Sequence, residues 1–396
     1  MCLRLSYIAL VSMLIVGCRT ETPLENYAQN QIDALQKTVA PDKRVAVFQI
    51  EAHQKAETYT LKGETDQPKG LQTLRDSLTA NNISFIDSVT VLPMAELGDK
   101  THAIINISVA NLRSNPKHSA ELATQATLGT PVKVLKKEGD WYYIQTPDKY
   151  LAWVDAGGIE LFTEQVIKKR ESNPKIIYTK TYGHAYSELD RTEIVSDLVA
   201  GNLLEVLKYA DKFYMVRFPD GRQAYVAHEE SEKYEDWLAG LDNNPGALVE
   251  TSKLFMGVPY LWGGTSTKGM DCSGFTKTIY FLNGMIIPRD ASQQVHTGKP
   301  IDDSGNFDSL EAGDLLFFGK KATDSIKEKV VHVGMWIGNN EFIHASDMVR
   351  ISSVDKEATN YDEYNVNRYL RTKRILKEQD KDLIDLRRVS MFKQGI

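Results

Sequence analysis

The stretch GMDCSGF, residues 269–275, sets one thiol between a carboxylate and a hydroxyl, with a glycine and an apolar run behind it. A cysteine so placed can pack as a small hydrophobe, ligate a metal or attack a carbonyl carbon. The run DCSGFTKTIYFLNG carries Phe275, Ile279 and Leu282 at helical spacing and stops at Gly284, which puts Cys272 at or just before the first turn. Backbone N–H groups there lack helical partners and the dipole is positive, so a thiolate is favoured and a developing oxyanion finds donors. The position therefore predicts a thiol that ionises below its ordinary pKa of about 8.5.

A nucleophile of this kind needs a base. Of the eight histidines, His332 and His344 stand out, because VVHVGMWIGNNEFIHASD reads as a β-hairpin turning at Gly338, Asn339 and Asn340. Side chains alternate along a strand, so register decides whether the two imidazoles share a face. A plain two-residue loop of Asn339 and Asn340 puts them on opposite faces. A three-residue loop or a bulge sets His344 across from Gly334 or Trp336, on the face of His332. The sequence thus predicts an odd loop or a bulge, with His332 as base and His344 orienting it. Taken singly, a packed thiol and two hydrogen-bonded strand histidines remain the plain alternative. A metal site of Cys272, His332 and His344 lacks an H-E-x-x-H motif or a cysteine pair, and neither a metal nor an organic cofactor is expected.

The rest of the chain must position these groups. Its 396 residues exceed one ordinary core, and 42% hydrophobic with 25% charged residues is globular usage. With 47 basic against 53 acidic side chains, the formal charge of −6 holds no footprint of nucleic-acid binding. Arg4 precedes an apolar run, Leu5–Val16, too short to span a bilayer, and "IVGC" follows it. This is an export signal, and the closing cysteine resembles the lipobox of bacterial lipoproteins. The resemblance implies a signal over 1–17, a lipid on Cys18 and a membrane-anchored, exported protein, on the periplasmic face of the envelope. Cys2 leaves with the signal and Cys18 is consumed, so Cys272 is the one thiol left, without a disulfide partner.

Residues 18–100 read as a polar tether, from Arg19 into the thirties, and a small α/β unit. In that unit RVAVFQIEA, ETYTLKGE and SFIDSVTVLP are strands, and Leu71, Leu74 and Leu78 line a helix. Residues 101–165 and 166–232 repeat one order: apolar strand, charged turn, aromatic strand, Asp-centred turn, final strand. They read as two small barrels, with Trp141, Tyr142 and Trp153 as core, and resemble bacterial SH3-like domains. LDNNPGALVE breaks the chain before a segment from 245 to 396 that carries the chemistry. The fold class expected is multidomain α+β.

Four blocks in that segment, GVPYLWGGTSTKGMDCSGF, IPRDASQQ, LEAGDLLFF and HVGMWIGNNEFIHAS, occur in the order and spacing of NlpC-type, papain-like cell-wall cysteine peptidases. The resemblance implies Cys272 as nucleophile, His332 as base, His344 as third member and Tyr260 at the oxyanion site. It also implies that Trp262, Asp271 and Ser273 line the substrate cleft. Taken by itself, Trp262 can equally pack beneath the Gly263–Gly264 turn.

IPRDASQQ departs from the commoner family pattern in carrying an acid, Asp290, after the arginine. Together with two SH3-like domains, this resembles the subgroup of γ-D-glutamyl-L-diamino acid endopeptidases, also called dipeptidyl-peptidase VI, in which the carboxylate holds the free amine of L-alanine. A partly desolvated carboxylate pairs well with an ammonium and rejects an acylated amine by losing its partner. As a plain residue, Asp290 is a turn or cap beside Arg289. In the subgroup the first SH3-like domain borders the cleft, and Glu121 and Tyr150 are candidates to complete the ammonium site. The expectation is hydrolysis of the γ-D-Glu to diaminopimelate or lysine bond in short peptides released from glycan. The competing readings are an endopeptidase on intact peptidoglycan and a non-catalytic wall-binding lipoprotein.

Overall fold

The computed structural model describes residues 26–242 and 244–394, so Cys18 and the export signal lie outside the described residues. Its first unit departs from the sequence reading: much of the expected tether is a helix, Tyr27–Val39, capped by Asn26. Ala28 and Ile32 are buried, and Tyr27, Leu35 and Val39 pack on the same core, so the apolar spacing outweighs the polar composition. That helix and Pro68–Ala80, which buries Leu71, Leu74 and Leu78, cover a three-stranded sheet of Phe48–Lys55, Thr58–Thr65 and Ser84–Val91. The first strand pair is antiparallel and the second parallel, joined through the helix Pro68–Ala80.

Two seven-stranded sheets follow. Each contains the same meander, Pro131–Glu138, Trp141–Gln145 and Leu151–Asp155 in one, Leu203–Ala210, Phe213–Arg217 and Gln223–Ala227 in the other. The repeat extends to detail, because each has a bulge in its first strand, at Val134/Lys136 and Val206/Lys208, and a 3-10 turn after its third. Their cores are separate: Leu112, Val134, Ile144 and Val154 in the first, Ile176, Leu198, Val216 and Val226 in the second. Trp141, Tyr142 and Trp153 are all buried.

In the last segment a six-stranded antiparallel sheet runs in the order Lys299–Asp302, Tyr369–Arg374, Leu315–Lys320, Lys329–Gly338, Glu341–Ser346, Met348–Ser353. Strict alternation splits its apolar residues between two faces. Leu315, Phe317, Val333, Met335 and Ile343 meet Phe275 and Ile279 of the helix Cys272–Leu282, while Leu316, Phe318, Trp336 and Phe342 form a second layer. The first barrel is bolted to this domain beside the helix. Gln125 Oε1 accepts from Thr265 N–H at 2.9 Å and Ser266 O–H at 2.9 Å, and Lys277 Nζ meets Asp148 Oδ2 at 2.6 Å. Gly263, at φ +80°, lies so near the barrel that a Cβ would sit 2.1 Å from Leu122 O.

Candidate active site

Asp271 caps the helix that begins at Cys272, its Oδ1 accepting from Gly274 N–H at 2.7 Å. Gly274 is a glycine because the helix start sits on the Gly263–Gly264 turn: a Cβ would fall 1.9 Å from Gly264 O. The fully buried Arg289 grips Asp271 with two bonds, Nη2 to Oδ2 at 2.6 Å and Nη1 to Oδ1 at 3.1 Å, and also donates to Ser273 Oγ at 3.0 Å. The side chains of Asp271 and Ser273 are buried, as is that of Cys272 between them, and their polar atoms fix the helix end.

The hairpin solves its parity problem with a bulge. Asn339 and Asn340, at φ 54° and 61°, form a two-residue turn between the paired Gly338 and Glu341, but the register slips between Trp336 and Gly338. One residue, Ile337, is thereby left over, and the two imidazoles share a face. His332 Nε2 lies 2.7 Å from His344 Nδ1, and His344 Nε2 lies 3.0 Å from Ser352 Oγ. For His332 to accept a proton at Nδ1, its Nε2–H must donate to His344 Nδ1. That leaves His344 Nε2–H to donate to Ser352 Oγ, with the Asp362 carboxylate 3.8 Å away on the same side of the ring.

The sulfur lies within reach of two amides, that of Val333, next in the strand after His332, and that of its own neighbour Ser273. These amides favour a thiolate, but burial opposes it more strongly, and Asp271 adds repulsion. The Cys272 thiol is pushed up to about 12, opposite to the sequence expectation. Burial likewise pushes His332 well below its ordinary value, helped by His344, Arg368 and Arg350, and lowers His344 to about 3. Burial thus disfavours both charged forms, thiolate and imidazolium, in the resting site. Proton transfer has to accompany attack.

Tyr260 is partly buried; burial, then the neighbouring Cys272 and Asp271, hold its phenol protonated, so it remains a donor near the sulfur. Trp262 does not pack beneath its turn: it is 62% exposed, and its Nε1–H donates to Glu121 Oε1 of the first barrel at 2.6 Å. Asp290 precedes the short helix Ala291–Gln294, and its N–H donates to Gln293 Oε1 at 3.1 Å. Its carboxylate is nonetheless turned to the barrel, where Tyr150 O–H donates to Oδ2 at 3.2 Å. Burial, then the charge of Asp290, keep that phenol protonated too. Thus Glu121 and Tyr150, 29 positions apart in the barrel sequence, each meet a residue of the catalytic domain. Among the described residues, no group of three or more His, Cys, Asp or Glu side chains is placed to hold a metal ion.

Three participants were missed from sequence. Ser352 follows from extending the register argument one strand further, since His344 pairs with Arg350 in the adjacent strand. Arg289 stands inside the IPRD block itself. Arg44, whose Nη1 lies 2.6 Å from Asp290 Oδ2, gives no local signal at all.

A thiol at a helix start, packed on an antiparallel sheet that carries paired imidazoles, defines a papain-like cysteine hydrolase. The comparisons with known proteins agree: the NlpC/P60 family profile matches residues 257–368, and that of the bacterial SH3 domain matches residues 108–160. A gamma-D-glutamyl-L-lysine dipeptidyl-peptidase of Bacillus cereus is 33% identical over 233 residues, 57% of this chain and 67% of that one. Dipeptidyl-peptidase 6 of Lysinibacillus sphaericus is 27% identical over 65% of this chain and 93% of that one. The crystal structure of an NlpC/P60 family protein from Bacillus cereus superposes with a TM-score of 0.59 at 27% identity, covering 69% of this chain and 99% of that one. The chain belongs to the NlpC/P60 family and is a cysteine peptidase with bacterial SH3-like domains.

Proposed function

We propose that the protein hydrolyses the γ-D-glutamyl to diamino acid bond of short peptidoglycan peptides whose N-terminal L-alanine is free, as in muropeptide recycling. The observation that carries this reading is the Asp290 carboxylate, held by Tyr150 of the first barrel and set beside Arg289, which grips the Asp271 next to the nucleophile. An acid there selects an ammonium, and the barrel limits how far a substrate extends beyond it. The names of the relatives from Bacillus cereus and Lysinibacillus sphaericus support the same bond.

In this mechanism the Cys272 sulfur attacks the γ-carbonyl carbon of D-glutamate as its proton passes to His332 Nδ1. Tyr260 O–H and amides at the helix start stabilise the oxyanion. As the C–N bond breaks, His332 gives the proton to the departing amine. Water then adds to the thioester, losing its proton to His332, and the thiol is restored. The test is mass spectrometry of L-Ala-γ-D-Glu-diaminopimelate and of its lysine counterpart. Release of L-Ala-D-Glu supports the proposal; cleavage at another bond overturns it.

The pH profile follows from the burial of Cys272 and His332. His332 must be unprotonated to act, and burial lowers its pKa, so kcat/KM should hold as pH falls through 6.5 and decline only well below it. The thiol, pushed up to about 12, contributes no limb in the working range. The alkaline limb then belongs to the substrate amine, near pH ~8, and should vanish with an N-acetylated peptide. An acid midpoint at or above 6.5 would contradict this.

The reading includes export and a lipid anchor on Cys18, supported by the apolar run and the IVGC that ends it. Cys18→Ser should shift the expressed full chain from the membrane fraction to the soluble envelope fraction. Retention in the membrane would reject the anchor.

A further inference from the structure

The segment joining the helix Tyr27–Val39 to the strand Phe48–Lys55 bridges the first barrel and the catalytic domain. Its backbone is pinned to the first barrel: Arg44 O accepts from Leu151 N–H at 2.8 Å and Val45 O from Gln145 Nε2 at 2.9 Å. From there the Arg44 guanidinium reaches the catalytic domain. Its Nη1 donates to Asp290 Oδ2 at 2.6 Å and to Ser292 Oγ at 2.9 Å. Its Nε and Nη2 grip Asp42 at 2.8 and 2.7 Å. Gln293 closes a ring, donating from Nε2 to Asp42 Oδ2 at 2.8 Å while its Oε1 accepts from Asp290 N–H.

The charges in this ring are balanced in a way that preserves the site. Arg44 alone would neutralise Asp290, but Asp42 supplies a second negative charge, and the nearby Arg289 is matched by Asp271. One net negative charge is left for one ammonium. Arg44 and Tyr150 both take Oδ2, the carboxylate also accepts from the Gln293 backbone N–H in a capping box, and with four lone pairs it keeps acceptor capacity at Oδ1, 3.9 Å from Arg289 Nη1. Asp42, Arg44, Ser292 and Gln293 also line a crevice of about 1450 Å3, and Asp290 does not. Arg44 thus stands between the carboxylate and that crevice.

We infer that Arg44 is a positioning residue for substrate recognition: the N-terminal unit fixes the orientation of the Asp290 carboxylate so that Oδ1 meets the free amine of the peptide. This rests on the proposed role of Asp290. It gives residues 26–92 a function in specificity, exerted through a contact spanning 246 positions of sequence.

The test is steady-state kinetics of the full chain on L-Ala-γ-D-Glu-L-Lys and its N-acetyl form. Arg44→Ala should raise KM for the free-amine peptide about tenfold, as loss of an oriented, charge-assisted partner does. Its kcat, and its rates on the acetylated peptide, should move less than about twofold. Arg44→Lys should recover part of the loss, because an ammonium restores the charge but not the fork that spans Asp42 and Asp290. Asp42→Ala should also raise KM, since Arg44 then neutralises Asp290. An unchanged KM in Arg44→Ala would overturn the inference. A lower KM would overturn it too, showing that Arg44 competes with the substrate as a latch. Loss of kcat on both peptides would reduce Arg44 to a fold contact, also against the inference. These failures are told apart from failure of the underlying reading by Asp290→Asn: if that variant keeps its preference for the free amine, Asp290 is not the ammonium site.

Discussion

Cys272→Ala is expected to lower kcat on the free tripeptide on the order of 10^4-fold or more, with substrate affinity little changed. The sulfur is the attacking atom, and no other thiol is present among the described residues. Affinity should survive because the recognition groups, Asp290, Tyr150 and Glu121, are carried by other elements and keep their own supports. His332→Ala should cost nearly as much. A thiol pushed up to about 12 is almost wholly protonated at neutral pH and cannot attack without a base to receive the proton. The double variant should be little worse than either single one, since each single change already stops the concerted step. Single-turnover kinetics and isothermal titration with the uncleaved peptide measure the two quantities. A Cys272→Ala protein retaining a tenth of wild-type kcat would show that the chemistry is elsewhere.

Asp290→Asn should lower kcat/KM for the free-amine peptide by about 10^2-fold and leave the N-acetyl peptide unchanged or improved. Asparagine keeps the shape and accepts one hydrogen bond, so the loss reports charge. The ring formed with Asp42 and Arg44 would pass from one net negative charge to none, and the substrate ammonium would lose its counter-charge. The N-acetyl peptide brings no charge to the site and has nothing to lose there. Parallel rate measurements on both peptides give the ratio directly. A uniform loss on both would mark Asp290 as a helix cap alone.

The sequence carried the chemistry where the geometry is local or periodic. Helical spacing placed Cys272 at a helix start, and period-two alternation required an irregularity between His332 and His344, which the protein supplies at Ile337. Burial was less legible. The same helix start that favours a thiolate is buried against the sheet, and desolvation reverses the sign of the thiol shift. The segment after Asn26 read as a tether because its polar residues outnumber its apolar ones, yet Ala28, Ile32, Leu35 and Val39 fall on one stripe and find a sheet to cover. Contacts between distant segments were out of reach. Glu121 and Tyr150 could be raised only through a family resemblance, and Arg44 not at all, since nothing within its own neighbourhood distinguishes it from a surface arginine.

Substrate selection in the proposed reaction rests on one acid, Asp290, pairing with a free amine. The most direct measurement is the ratio of kcat/KM for L-Ala-γ-D-Glu-diaminopimelate to that for its N-acetyl form, with the wild-type full chain at pH 7. A preference for the free amine of about 10^2-fold or more is predicted. Equal rates, or faster cleavage of the acetylated peptide, would contradict it.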